Sequence, residues 1–238
     1  MNSLYKLNVN DWRQGQLLLV DKPLNWTSFQ VVNKIRWHLK RRFGLKKIKV
    51  GHAGTLDPLA SGLLLICVGQ WTKRISEFQE MEKEYMGHIQ LGSTTPSYDL
   101  ETAIDTTFPI EHIDAATIEV ARKTFEGEQL QYPPQFSAIK KDGVRLYEHA
   151  RKGETVEILP RKIHIHHFSL DSTHFPELSF RVRCSKGTYI RSLAHDLGKT
   201  LESGAHLSSL RRTKIGRYDV ADAYSLDDLI KILEGPIQ

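Results

Sequence analysis

The chain is short of cysteine and of long apolar runs. Of its 238 residues only Cys67 and Cys184 are cysteines. That excludes a disulfide framework and leaves no zinc-ligand spacing. Both lie in apolar stretches and read as small buried core residues. The longest unbroken apolar run is Leu63 to Val68, far below the roughly 20 residues of a membrane-spanning helix. Met1 to Gln16 is polar and has no apolar h-region, so no secretory signal is expected. These absences point to a cytoplasmic protein with no membrane partner. Gly51 to Asp57 lacks the spacing of a phosphate loop. No Gly-x-Ser-x-Gly surrounds Ser61-Gly62, so a nucleophile elbow is missing too.

What is present is an ordinary globular composition, 40% hydrophobic, 26% charged and 9% aromatic. The length allows one large domain or two small ones. The net charge of +5 is mild, but the charges are segregated. Lys34, Arg36, Lys40, Arg41, Arg42, Lys46, Lys47 and Lys49 follow one another with no acid between them. Arg211, Arg212, Lys214 and Arg217 form a second acid-free group. Such stretches point to a polyanion, most often nucleic acid, against the plainer reading of a solvated helix face.

Local patterns give a coarse element map. Gln16 to Val20 reads as a short buried strand. Thr27 or Ser28 can cap a helix to about Phe43, with Phe29, Val32, Ile35, Trp37 and Leu39 as its apolar contacts. Leu63 to Val68 reads as a strand buried on both faces. Trp71 to Gln79 suggests a short helix, Glu84 to Leu91 a strand, and Asp114 to Phe125 a helix capped by Asp114. Lys141-Asp142-Gly143 is a hairpin signal. Arg161 to Leu170 and Glu177 to Cys184 alternate as strands. Thr188 to Leu201 reads as a helix that Thr188 can cap, and Ser225 to Leu233 as another. The elements mix without regular βαβ alternation, which predicts an α+β fold with a mixed, mostly antiparallel sheet flanked by helices.

Two segments invite chemistry. Asp57 sits in a Gly/Pro-punctuated loop between two probable strands, where glycines at 51 and 54 allow close backbone approach. Its carboxylate suits a nucleophile and equally a turn-forming Asp. Ser185 to Arg191 leads from a strand into a helix and places the planar fork of Arg191 near a helix start. His164 and His166 share one strand face with His167 opposed, but no acid or cysteine stands at metal-ligand spacing.

Longer motifs carry a resemblance. GHAGTLDPLASGLLLICVGQWTK, from Gly51 to Lys73, resembles the signature of the TruB-type tRNA pseudouridine synthases. LLLVDKPLNWTSFQVV, KEYMGHIQLG, QYPPQFSAIKKDGVRLYEHARKGE, CSKGTYIRSLAHDLG and HLSSLRRTKIGRY are similar to further family blocks, in the family's order. The likeness runs from about Gln16 to Leu233. It implies the pseudouridine synthase fold and the isomerisation of a T-loop uridine, at position 55 of tRNA, without cofactor or metal. By that resemblance Asp57 is the catalytic aspartate, Arg191 the arginine that pairs with it, Tyr85 the tyrosine against the target base, and Tyr189 its active-site neighbour. His52, Lys22 and Leu210 match residues that hold the RNA or line the base pocket. Lys40, Arg41 and Arg42 are expected on the RNA backbone. The implied partner is the tRNA T-arm, met by a monomer without guide RNA. A non-catalytic chaperone of the tRNA elbow is the alternative.

The family pattern T-D-T-x-D is altered at Thr95 to Asp99, where Pro96 and Ser97 replace Asp and Thr. The chain is expected to form one catalytic domain, with an RNA-binding lobe inserted around 94–151. No C-terminal RNA-binding PUA barrel is expected after Leu233.

Overall fold

The computed structural model describes residue 4 and residues 7–137, 139–141, 143–154 and 156–235. These fall into two compact units, 1–84 with 211–238, and 85–210.

In the first unit, Asn8 and Asp11 close a capping box on α1 (Val9–Gln14), which buries Trp12. β1 (Gln16–Lys22) follows. Thr27 caps α2 (Ser28–Arg42), with Gln30 completing the box. The expected helix is therefore present, but its apolar face differs from expectation. Val31, Val32, Ile35 and Leu39 are buried, whereas Phe29 and Trp37 are 60% and 51% exposed. At about 3.6 residues per turn, positions 29 and 37 lie opposite the stripe formed by 31, 35 and 39. β2 (Val50–His52) and β3 (Ala60–Val68) are antiparallel, and β1 pairs antiparallel with β3. The single helix expected at 71–79 is split into a 3-10 stretch, Gly69–Arg74, and α3 (Ile75–Glu80). β4 (Lys83–Leu91) then leads into the second unit.

The second unit continues with β5 (Ser93–Thr94), β6 (Thr106–Thr107) and α4 (Ala115–Lys123), which Asp114 caps as expected. After β7 (Gly127–Gln131), the predicted hairpin appears as β8 (Lys140–Lys141) and β9 (Val144–Arg145); Asp142 lies outside the described residues. α5 (Leu146–Arg151), β10 (Arg161–Asp171), β11 (Glu177–Cys184), α6 (Ile190–Thr200) and β12 (Ala205–Ile215) complete it. The strand order here is β12-β4-β11-β10-β7. A register shift between Ile165 and His167 leaves both His166 and His167 exposed. His167 therefore does not oppose His166, because the bulge interrupts the two-residue alternation. Ile89, Phe125, Phe168, Phe180, Ile190 and Leu197 form part of this unit's core.

The chain returns to the first unit through β13 (Tyr218–Asp219), β14 (Tyr224–Ser225) and α7 (Leu226–Glu234), which Ser225 caps as expected. The order there is β14-β1-β3-β12. β14 is parallel to β1, whereas β1 with β3 and β2 with β3 are antiparallel. The class is α+β with a mixed, mostly antiparallel arrangement. β3 is buried on both faces, as its apolar run predicts. Leu64, Ile66 and Val68 join Leu18, Ile35 and Leu229 in one core; Leu63, Leu65 and Cys67 join Phe78 and Ile215 in another. Both cysteines are buried, and among the described residues neither forms a disulfide. No described helix is long and apolar enough to cross a membrane.

Arg42 does not project freely. Its Nη1 donates to the carbonyls of Ile232 at 3.0 Å and Leu233 at 2.9 Å, in the last turn of α7. Both carbonyls lie in the turn where i→i−4 bonding ends; Ile232 O also receives the Gly235 N–H at 3.3 Å, and the guanidinium caps the helix. Arg42→Ala should lower unfolding free energy by about 1–2 kcal/mol, whereas exposed Arg41→Ala should stay within about 0.5 kcal/mol. Parallel urea titrations of the two variants check this.

Candidate active site

The loop from Ala53 to Leu59 joins β2 to β3 and carries Asp57, which is half-buried. Its backbone is tied at nearly every step. Ala53 N donates to Leu65 O at 2.9 Å. Leu56 N donates to Ser28 Oγ at 2.8 Å, and that hydroxyl returns a bond to Leu56 O at 3.0 Å. Ser28 can do this because it occupies the first turn of α2, where side chains reach outward past the helix end. Asn25 N donates to Pro58 O at 2.8 Å, and Ala60 N to Asp57 O at 3.1 Å.

Two buried cations complete the fixation. Lys22, at the end of β1, has no exposed surface. Its ammonium donates to Trp26 O at 2.5 Å, Pro23 O at 3.0 Å and Pro58 O at 3.5 Å. Arg212 on β12 is 1% exposed. Its Nε donates to Leu63 O at 2.8 Å, Nη2 to Gly54 O at 3.1 Å and Nη1 to Thr55 O at 3.4 Å. Lys22, expected to hold RNA, is thus enclosed among carbonyls and presents nothing to a phosphate. Burial pushes its ammonium down to about 8; the Asp57 carboxylate opposes the shift and Arg212 adds to it. His52 is half-buried, and its Nδ1 is buried without a hydrogen bond. Burial first, then the Arg212 guanidinium, holds its imidazole below the ordinary value despite a weaker opposing influence of the Gly54 backbone. His52 is therefore neutral at pH 7.

The acid-free group at 211–217 is engaged inside the first unit. Arg211 makes a two-pronged pair with Asp21, at 3.0 and 2.7 Å. Lys214 pairs with Asp219 at 3.2 Å. The Arg217 guanidinium lies 5.3 Å from the Tyr218 ring centre. Arg212 is buried and Arg211 is paired, so neither is a free surface charge, whereas Lys214 and Arg217 are exposed. Along 34–49 the outcome is divided. Arg36 donates to Val50 O at 2.9 Å and Arg42 caps α7, whereas Lys34, Lys40, Arg41, Lys46, Lys47 and Lys49 are exposed. A cavity of about 340 Å³ in this unit has Arg13, Lys47, Lys49 and Lys73 in its lining and no acid.

In the second unit, Tyr85 and Leu210 are half-buried against the core. Tyr189 stands at the N-cap of α6 in extended conformation, and Thr188 donates instead to Ser185 O at 3.0 Å. The expected Thr188 cap is absent because the helix starts two residues later. Buried Gln131 grips the Tyr189 backbone from both sides, accepting from its N at 2.8 Å and donating to its O at 3.0 Å. Arg191 is 4% exposed. It donates to Phe136 O at 2.9 Å and Ser97 O at 3.2 Å, and its Nε lies 3.6 Å from Asp99 Oδ2. Asp99 is itself held by Ser97 Oγ at 2.6 Å and Glu101 N at 2.9 Å. The altered segment at 95–99 is thus a cradle for Arg191.

Residues 40–190 match the model of the TruB family pseudouridylate synthase N-terminal domain, and residues 191–234 match the tRNA pseudouridylate synthase B C-terminal domain. The chain belongs to the TruB family of pseudouridylate synthases. A tRNA pseudouridine synthase B of Flavobacterium johnsoniae is 61% identical over 91% of this chain and 95% of its own length. That of Phocaeicola vulgatus is 53% identical over 94% and 95%. Among solved structures, an H/ACA RNP bound to a substrate RNA containing 2'-deoxyuridine is similar, with TM-score 0.68 and 27% identity over 95% of this chain. A Cbf5-Nop10-Gar1 complex gives the same TM-score at 28% identity. This chain spans 56% and 57% of those two solved chains.

Family blocks pointed to Asp57, but not to Arg212, Ser28, Asp99 or Gln131. The sequence offers Ser28 only as a possible helix cap, Asp99 only as the end of an altered segment, Gln131 only as the start of a family block, and Arg212 only as one of a basic group. The depressed Lys22 gives a test with a definite sign. Its folded pKa lies below its ordinary 10.5, so between about 8 and 10.5 the unfolded chain holds a proton that the folded chain has released. Stability from this group therefore rises with pH across that window. The unfolding free energy of wild type minus that of Lys22→Met should grow by about 2 kcal/mol from pH 7.5 to 9.5. Chemical denaturation at the two pH values measures it, and a constant difference would contradict the burial of a charged Lys22.

Proposed function

We propose that Asp57 is the nucleophile with which this chain converts uridine 55 in the T-loop of tRNA to pseudouridine. The reading is carried by one observation: the Asp57 carboxylate stands on a loop fixed by two buried cations, Lys22 and Arg212. A carboxylate on a fixed loop, with two cations in the same neighbourhood, is held in one aim, which is what a nucleophile requires. The relatives' names, tRNA pseudouridine synthase B, support the substrate and the product.

The chemistry balances within the substrate. The C1′–N1 bond breaks, the uracil turns, and C1′ joins C5. The C5 proton leaves and N1 ends protonated, so the composition is unchanged and no oxidant, reductant or group donor is consumed. Within a folded T-loop the base must first leave its stack. Tyr85 offers a ring against which the extruded base rests, worth roughly 1–3 kcal/mol. The family resemblance assigns Arg191 to the carboxylate and Tyr189 to the base; within its own unit Arg191 is held by the 95–99 cradle. Lys40 and Arg41, with Lys34, Lys46, Lys47 and Lys49, present exposed charge to the T-arm phosphates, and neutral His52 faces the loop region of the RNA.

Asp57→Asn keeps the shape of the side chain and removes the nucleophile. Tritium release from 5-tritiated uridine in tRNA should vanish while RNA affinity stays within about threefold; product formed by the pure variant would end this assignment. The phosphate contacts predict a second outcome. The triple variant Lys40→Gln, Arg41→Gln, Lys47→Gln spares the structural Arg42. It should flatten the slope of log affinity against log salt by about 2–3. Filter binding at several salt concentrations reads the slope, and an unchanged slope would put the RNA on another surface.

A further inference from the structure

We propose that Arg212 is a positioning residue for the isomerisation: its guanidinium fixes the backbone that aims Asp57. This rests on the reading of Asp57 as the nucleophile. The three carbonyls it holds belong to two segments, Leu63 in β3 and Gly54 with Thr55 in the loop. A planar fork with five N–H donors can bridge them at once. A lysine ammonium is a single point of charge and cannot hold that spread.

Burying such a group is costly, and well-packed apolar side chains often replace buried ion pairs without loss of stability. Among the described residues Arg212 has no ion pair, and its partners are neutral carbonyls. Core filling alone would be served by an apolar residue of similar volume. The arrangement makes sense as a device that fixes polar backbone beside a reacting carboxylate. Lys22 feels the charges of both Asp57 and Arg212, so the two cations and the carboxylate share one neighbourhood.

The anchor itself is rigid. Gly62 of β3 leaves room for the Arg212 main chain: a Cβ at Gly62 would lie 2.3 Å from Arg212 O and 2.8 Å from its N. At the other end Gly54 adopts φ +96°, a conformation that favours glycine, and a Cβ there would lie 3.6 Å from Arg212 Nη1. Successive residues of a strand point to opposite faces. Arg211 therefore reaches Asp21 while Arg212 reaches the loop, and one dipeptide ties both segments to β12. Misplacing a reacting group by about 1 Å can cost a hundredfold in rate, which sets the scale of the effect.

The test compares Arg212→Lys, Arg212→Gln and Asp57→Asn in the full chain. It measures single-turnover pseudouridine formation at saturating protein, RNA affinity, and melting curves. We expect Arg212→Lys to be slower by about tenfold or more and Arg212→Gln by about a hundredfold. RNA affinity should stay within about threefold, at temperatures where each variant is folded. A residue that merely supports the fold would lower the melting temperature and leave the single-turnover rate of the folded protein unchanged. A wild-type rate in Arg212→Lys, with Asp57→Asn inactive, overturns this proposal alone. Activity in Asp57→Asn overturns the nucleophile reading and this proposal together. Failure of both Arg212 variants to fold would make the residue a core builder and also overturn it.

Discussion

A charged group removed from water must meet oppositely polarised atoms, and in the first unit the atoms that meet Lys22 and Arg212 are backbone carbonyls. That requirement constrains much around it. β1 must end where its lysine can reach Trp26 and Pro58. β12 must lie close enough to β3 for an arginine to span Leu63 and the loop, and Gly62 makes that approach possible. α2 must begin beside Leu56, because Ser28 supplies both a donor and an acceptor to that one residue. The Asp57 loop has little regular structure of its own, yet its shape is over-determined by side chains from β1, α2 and β12.

The second unit uses the same device with a different charge balance. Arg191 has carbonyls from Ser97 and Phe136 and, 3.6 Å away, the carboxylate of Asp99. The segment at 95–99 departs from the family pattern, but its work there is legible in the structure. Ser97 retains a hydroxyl where the family has threonine, and that hydroxyl bonds the Asp99 carboxylate. The Ser97 carbonyl receives Arg191 directly. A backbone carbonyl serves as acceptor whatever its side chain, which makes this position tolerant of the change.

Local structure was legible in the sequence where one short-range rule decided it. The run Leu63 to Val68 became β3, Thr27 capped α2, and Asp114 and Ser225 capped their helices. Motif blocks led to Asp57 and the family. What could not be read was which charges face water. Arg42, Arg211 and Arg212 look like Lys40 and Arg41 in a linear string, yet their partners lie between 149 and 191 residues away. Phe29 and Trp37 counted as apolar, but the helix phase set by Val31, Ile35 and Leu39 turns them outward. The histidines at 164–167 followed a two-residue alternation until a bulge broke it.

β3 is one strand serving two separate cores. Leu64 belongs with Leu18, Ile35 and Leu229, while Leu65, the next residue, belongs with Phe78 and Ile215. Neighbours along the chain are thus strangers in packing. A change of volume at Leu64 is answerable by repacking under α2 and α7, and one at Leu65 only by residues on the other side. The odd and even positions of this strand therefore couple energetically to different partners, distant in the chain, and hardly to the residue covalently bonded to them.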